Sequence, residues 1–132
     1  MKYTKGYKYQ LYSDEQTQTG IIPAEPVFTK FIDLTATGLL IIRAGYAWDG
    51  CSGPTFDTEN SMLGGLVHDA LYQLLRLKLL PQSFRPHIDL LFKEVLIKEG
   101  MFKWRAHLWY LAVRKCAGFA ADPKNRKKIY EV

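Results

Sequence analysis

Cysteine is scarce in this chain: only Cys51 and Cys116 occur, and they show no metal-ligand spacing to each other. That excludes a disulfide scaffold and a cysteine-built zinc site, and both thiols are expected reduced, with no disulfide. Long apolar runs are also missing. The most apolar late stretch, residues 104–121, is interrupted by Arg105, His107, Arg114 and Lys115, so it reads as a buried helix with no membrane span. The N-terminus, Met1-Lys2-Tyr3-Thr4-Lys5, has no apolar run behind it, which argues against a secretory signal and makes the cytoplasm the expected compartment. Nor is there a repeat, a low-complexity tract or an internal linker. One domain over 1–132 is therefore expected, with a β-rich part at 1–50, a loop at 49–58, a helical part at 59–120 and a basic tail at 121–132.

Charge of one sign is not abundant either. The 18 Lys and Arg against 13 Asp and Glu leave +5, too little to nominate nucleic acid as a partner. Much of the excess lies late, at Lys115, Lys124, Arg126, Lys127 and Lys128, where it suits a solvated helix exit or a loose tail. What the chain does have is apolar content, 48% of its residues, enough to supply a core.

The pattern predicts an α+β fold, with a small antiparallel sheet at the N-terminal side packed with about three C-terminal helices. Residues 20–33 are rich in β-branched and aromatic types and read as one strand, with Pro23 and Pro26 suiting an edge or bend. A turn at 35–38 leads to a second strand at 39–48, which makes a hairpin, and an earlier strand around 7–12 lies beside it. From Thr58 the period becomes helical, with apolar residues at 63, 66, 67, 70, 71, 74 and 75. Pro81 ends that helix, Ser83 is a candidate cap for the next, and Glu99-Gly100 ends the second. A third helix is expected from about Lys103 to Cys116. Its apolar residues surround most of the circumference, which predicts packing on several sides and puts Trp104, Trp109 and Tyr110 in the core.

Helical geometry then distributes the polar side chains. His68 and Asp69 fall away from the first helix's apolar stripe and could face a common cleft, while Gly64 and Gly65 leave that side bare, so that a loop such as 49–54 could approach it closely. Asp89 borders the apolar stripe of the second helix and is expected to point inward. On the third, His107, Tyr110 and Arg114 share a face, with Arg114 able to pair with Asp89 or Asp69. His87 is expected at the surface.

These residues carry a resemblance. In chain order, Trp48-Asp49-Gly50 with Ser52 and Pro54, then His68-Asp69 with Leu71 and Tyr72, then Arg85, Asp89 and Phe92, then Tyr110, Arg114 and Gly118 resemble the phage and prophage family catalogued as domain of unknown function 1353. The likeness runs over most of the chain. It implies a phage or prophage origin, with residence in the host cytoplasm or the virion, but it brings no settled activity. The family commonly has Ala where Cys51 stands, which argues against Cys51 as a nucleophile.

Three readings of the polar residues follow. His68, Asp69, Asp89 and Asp49 offer one imidazole and three carboxylates, a mixed set that suits Zn, Mn or Mg with an open position for water. Such an ion acidifies water and polarises a phosphoryl or acyl oxygen, so hydrolysis of a phosphoester or cell-envelope bond is the matching reaction. A metal-free alternative makes Ser52 the nucleophile and His68 the base, with Asp69 or, better, Asp89 orienting the ring. Adjacent residues on a helix point about 100° apart, which disfavours Asp69 in that role. In the third reading His68, Asp69, Asp89 and Arg114 form a satisfied polar network, and the protein is a virion component or binds a host factor. Tyr72 and Arg114 are candidate binding residues in each case.

Overall fold

The hairpin turn at residues 35–38 shows why the front of the chain is β. Gly38 takes φ +88°, where only glycine is unstrained, and its N–H donates to Thr35 O at 3.0 Å while the Leu39 N–H donates to Thr35 Oγ1 at 3.0 Å. In the computed structural model, which describes residues 3–4, 9–48 and 59–121, this turn joins two antiparallel strands. Contacts sort the chain into two compact units, the first essentially the β part and the second the helical part.

In the β unit the strands are β1 (Tyr3–Thr4), β2 (Tyr9–Leu11), β3 (Glu15–Gln18), β4 (Val27–Phe28), β5 (Ile32–Leu34), β6 (Leu39–Ile42) and β7 (Ala47–Trp48). They form two antiparallel sheets among the described residues, ordered β3-β6-β5-β4 and β1-β2-β7. The expected hairpin is β5–β6, in register Leu34 with Leu40 and Ile32 with Ile42, and all four side chains are buried. Between them Asp33 is buried as well, and Arg43 neutralises it with a two-pronged pair, Nη1 to Oδ1 at 3.0 Å and Nη2 to Oδ2. The same guanidinium donates to the Thr29 carbonyl at 3.2 Å.

Three expectations for this unit need correction. The single strand at 20–33 is two short strands: residues 20–26, with Pro23 and Pro26, form no ladder, and the chain reverses at 29–31, where the Thr29 N–H donates to Ile32 O at 2.9 Å. The single strand at 39–48 is also two, in different sheets, because Gly45 at φ +100° turns the chain between them. The strand at 7–12 is β2, and it lies beside the expected pair only in part: it pairs with the 47–48 end of the expected second strand, now β7, and with β1, but not with β5 or β6. β3, with the polar sequence Glu15-Gln16-Thr17-Gln18, was not expected at all.

The helical unit contains α1 (Glu59–Arg76), a single 3₁₀ turn (Gln82–Phe84), α2 (Arg85–Lys98) and α3 (Lys103–Ala121). α2 packs on both α1 and α3. α1 passes close to α2 at Gly64, where Leu96 and Phe92 fill the space a side chain would take. Phe92, Leu96, Met101, Ala106 and Val113 form one buried cluster, with Ile97 and Trp109 against it. α2 ends in a Schellman motif: Gly100 at φ +105° donates to Ile97 O and Met101 to Leu96 O, each at 3.0 Å. α1 ends the same way, but with Lys78 at φ +62° in the glycine position.

Here too the expectations shift. α1 is not one-sided: from Ser61 to Arg76 all its residues are buried except Leu63 and Gly65, which are half-buried. Ser83 does not cap α2. The 3₁₀ turn runs directly into it, with Phe84 at the cap position and no side-chain cap bond. α3 continues to Ala121 through Gly118, since one internal glycine costs only about 1 kcal/mol. Over residues 103–115 it is buried on one side only, so Trp104, Leu108 and Leu111 are exposed and Trp104 is no core residue, while Trp109 and Tyr110 are half-buried. The loop at 49–58, with Cys51 and Thr58, the tail beyond Ala121 and the side chain of Cys116 lie outside the described residues.

Candidate functional site

Residues from all three helices meet at one carboxylate. α1 presents His68 and Tyr72, four residues apart and therefore on one face, and α2 presents Asp89 toward them. His68 Nε2 lies 2.7 Å from Asp89 Oδ1, the Tyr72 hydroxyl donates to the same oxygen at 2.6 Å, and Arg114 Nη1 of α3 donates to Oδ2 at 2.5 Å. The carboxylate is fully buried, while the Arg114 side chain keeps 37% of its surface in solvent. The His68 ring is packed as well as bonded, its centroid 4.2 Å from the Tyr72 ring and 5.1 Å from that of Phe92.

Electrostatics follow from this geometry. Burial pushes the Asp89 carboxyl up, but hydrogen bonds from His68, Tyr72 and Arg114 outweigh it and hold the group below the usual carboxylate range. Burial, followed by the bond to Asp89 and the charge of that carboxylate, pushes the Tyr72 phenol well above the ordinary tyrosine range. The bond to Asp89 likewise raises Arg114. Tyr72 therefore stays a donor and Asp89 a charged acceptor. Facing an ionised acceptor, Nε2 of His68 carries its proton, so in the neutral ring Nδ1 holds a lone pair. Among the described residues Nδ1 has no hydrogen-bond partner.

Asp69 does not join this group. It lies about 100° further round α1, with Oδ1 3.9 Å from Arg76 Nη2, and the two belong to a second buried polar seam that sequence reasoning missed. In that seam Arg76 Nε and Nη2 donate to Gln73 Oε1 at 3.2 and 2.7 Å, and Gln73 Nε2 is buried without a partner among the described residues. The signal was legible: Asp69, Gln73 and Arg76 stand at i, i+4 and i+7. Asp49 and Ser52 lie outside the described residues. His107 forms a separate surface group, with Nδ1 3.1 Å from Lys93 Nζ and its ring stacked on Tyr110, and His87 is exposed as expected.

The donor set tests the metal reading. Both oxygens of Asp89 are taken by protein donors, so it suits orienting a histidine and does not fit as a ligand. Among the described residues no group of three or more His, Cys, Asp or Glu stands where it could hold an ion. No family model, no curated protein and no solved structure matches the chain.

Proposed function

We propose that this protein is a hydrolase in which His68 is the general base, acting through Nδ1. The observation that carries the reading is the 2.7 Å contact of Nε2 with Asp89, a buried carboxylate itself fixed by Tyr72 and Arg114. A carboxylate on the far nitrogen selects the tautomer, aims the ring and stabilises the imidazolium that forms on proton uptake. Nδ1 takes a proton from the nucleophile, whose oxygen attacks an acyl carbon or a phosphorus. The proton then passes to the leaving oxygen as that bond breaks. The nucleophile is water or Ser52, and Ser52→Ala separates them, since only the water route survives it.

A phosphoester or a cell-envelope bond remains the proposed substrate, as a bond that an oxygen nucleophile activated by a base attacks, and the motif order supports a phage or prophage origin with work in the host cytoplasm or virion. A Zn, Mn or Mg ion stays a separate proposal, without Asp89, whose two oxygens are taken by protein donors, and without Asp69, which faces Arg76. No step above runs through it, and metal analysis of the purified protein decides it.

The test is an assay on chromogenic phosphoesters, acyl esters and purified cell wall, with His68→Ala and Asp89→Asn beside the parent. Loss of activity in His68→Ala at unchanged melting temperature supports the base role, and Asp89→Asn should lower kcat by about 10²- to 10⁴-fold. One observation favours a second reading: His68, Tyr72 and Asp89 are all at least 96% buried. A closed clasp of that kind joins three helices without chemistry, in a protein that binds a host or phage partner. There the parent is inactive on every substrate and His68→Ala chiefly lowers the melting temperature.

A further inference from the structure

Over residues 103–115, α3 buries only part of its apolar surface. Ala106 and Val113 face the α2 cluster, whereas Trp104, Leu108 and Leu111, at i, i+4 and i+7, form a second stripe on the opposite side of the helix. That stripe is open to solvent, with Trp104 66%, Leu108 55% and Leu111 49% exposed, and Phe102, just before the helix, is 72% exposed. Isolated exposed apolar residues are ordinary, but an aligned Trp and Leu stripe is a surface built to be covered.

Charge indicates what covers it. α3 has no Asp or Glu along its length, and Lys103, Arg105 and Lys115 stand beside or within the stripe. Two copies of this face set against each other would bring cations onto cations with no acidic group to answer them, which disfavours self-association. Aliphatic side chains on a nucleic acid would find phosphate for the lysines but nothing to bury the leucines. An anionic lipid surface answers both halves, with phosphates for the lysines and acyl chains for the tryptophan and leucines. No helix among the described residues is long and apolar enough to cross a bilayer; an apolar stripe along one side, flanked by cations, is the pattern of a helix that lies on one.

We propose that the outward face of α3 is a docking surface for anionic lipid bilayers. The proposal is independent of the hydrolase reading, because none of its residues touches the His68–Asp89 group. Co-sedimentation with phosphatidylcholine vesicles, with and without phosphatidylglycerol, tests it. The parent protein and His68→Ala should bind the anionic vesicles equally, more weakly as salt rises and more weakly still without phosphatidylglycerol. The double variant Trp104→Ala/Leu108→Ala should bind at least about tenfold more weakly, since it removes two large apolar anchors. Circular dichroism checks that it is folded. Failure of the parent to bind anionic vesicles, or binding unchanged in the folded double variant, would overturn the proposal. So would a concentration-dependent dimer that the double variant abolishes, which would make the face a contact between two copies of the chain.

Discussion

A β-carbon added to Gly64 would lie 2.9 Å from Cδ2 of Leu96 and 3.3 Å from its Cγ. Leu96 is fully buried and cannot swing aside cheaply, so the close crossing of α1 over α2 depends on the missing side chain. Gly64→Ala should destabilise by about 1–2 kcal/mol, the cost of overpacking reduced by the better helix propensity of alanine. Urea unfolding measures it. Adding Leu96→Val should relieve part of the clash, so the two substitutions together should cost less than their sum.

Asp89 is the shared acceptor of three donors, and the consequences of losing it differ from those of losing Arg114. Asp89→Asn should cost about 3 kcal/mol, because Arg114 loses its counter-charge and the new amide NH2 is set against a donor where an acceptor is needed. Arg114→Ala should cost less, about 1–2 kcal/mol: His68 and Tyr72 still bond Oδ1, and Oδ2, which loses its donor, is reached by water through the partly solvated space the arginine leaves. Equal losses for the two in thermal or urea unfolding would contradict this ordering.

The pH dependence has a definite sign at each end. The folded-state pKa of Asp89 lies below its unfolded value, so its contribution is complete above about pH 4 and lost as pH falls through the folded pKa. Tyr72 is the opposite case for an acid. Its folded pKa is raised, so stability falls as pH rises past about 10, where the unfolded phenol ionises and the folded one does not. Asp89→Asn should flatten the acid limb of a stability–pH curve and Tyr72→Phe the alkaline limb, each leaving the other limb in place.

Lys78 closes α1 at φ +62°, a conformation that costs a side-chain-bearing residue about 1 kcal/mol. Lys78→Gly should therefore stabilise the protein by about 0.5–1 kcal/mol, read as a higher urea midpoint at unchanged slope. A lower midpoint would mean that the lysine side chain contributes more than its backbone costs.

The helices were legible because their apolar spacing is regular, and the α2 end because Glu99-Gly100 is a direct chemical signal for a left-handed cap. The hairpin was legible from its turn. Less legible was everything that depends on partners distant in the chain. β3 is polar throughout and becomes a strand only because β6 offers it a ladder. Trp104 and Leu108 look like core residues until packing shows which side of α3 is covered. Within the site, inward-pointing Asp89 and its link to Arg114 could be read from helical geometry, whereas His68 and Asp69, expected on a common cleft, face different partners, Asp89 and Arg76. That Tyr72 would share Asp89 with His68 could not be read in this way, since it depends on how α1 and α2 are set against each other.

The order β3-β6-β5-β4 leaves the four-stranded sheet with two ends, and both are poor templates for a foreign strand. One end is β3, whose Glu15, Gln16, Thr17 and Gln18 offer an incoming chain little apolar surface. The other is β4, only two residues long and entered through Pro26, which has no N–H to donate. Native-state fibril growth by strand addition thus has no ready starting point in this sheet, and the apolar hairpin between those ends is shielded by the very strand whose composition makes it look least like one.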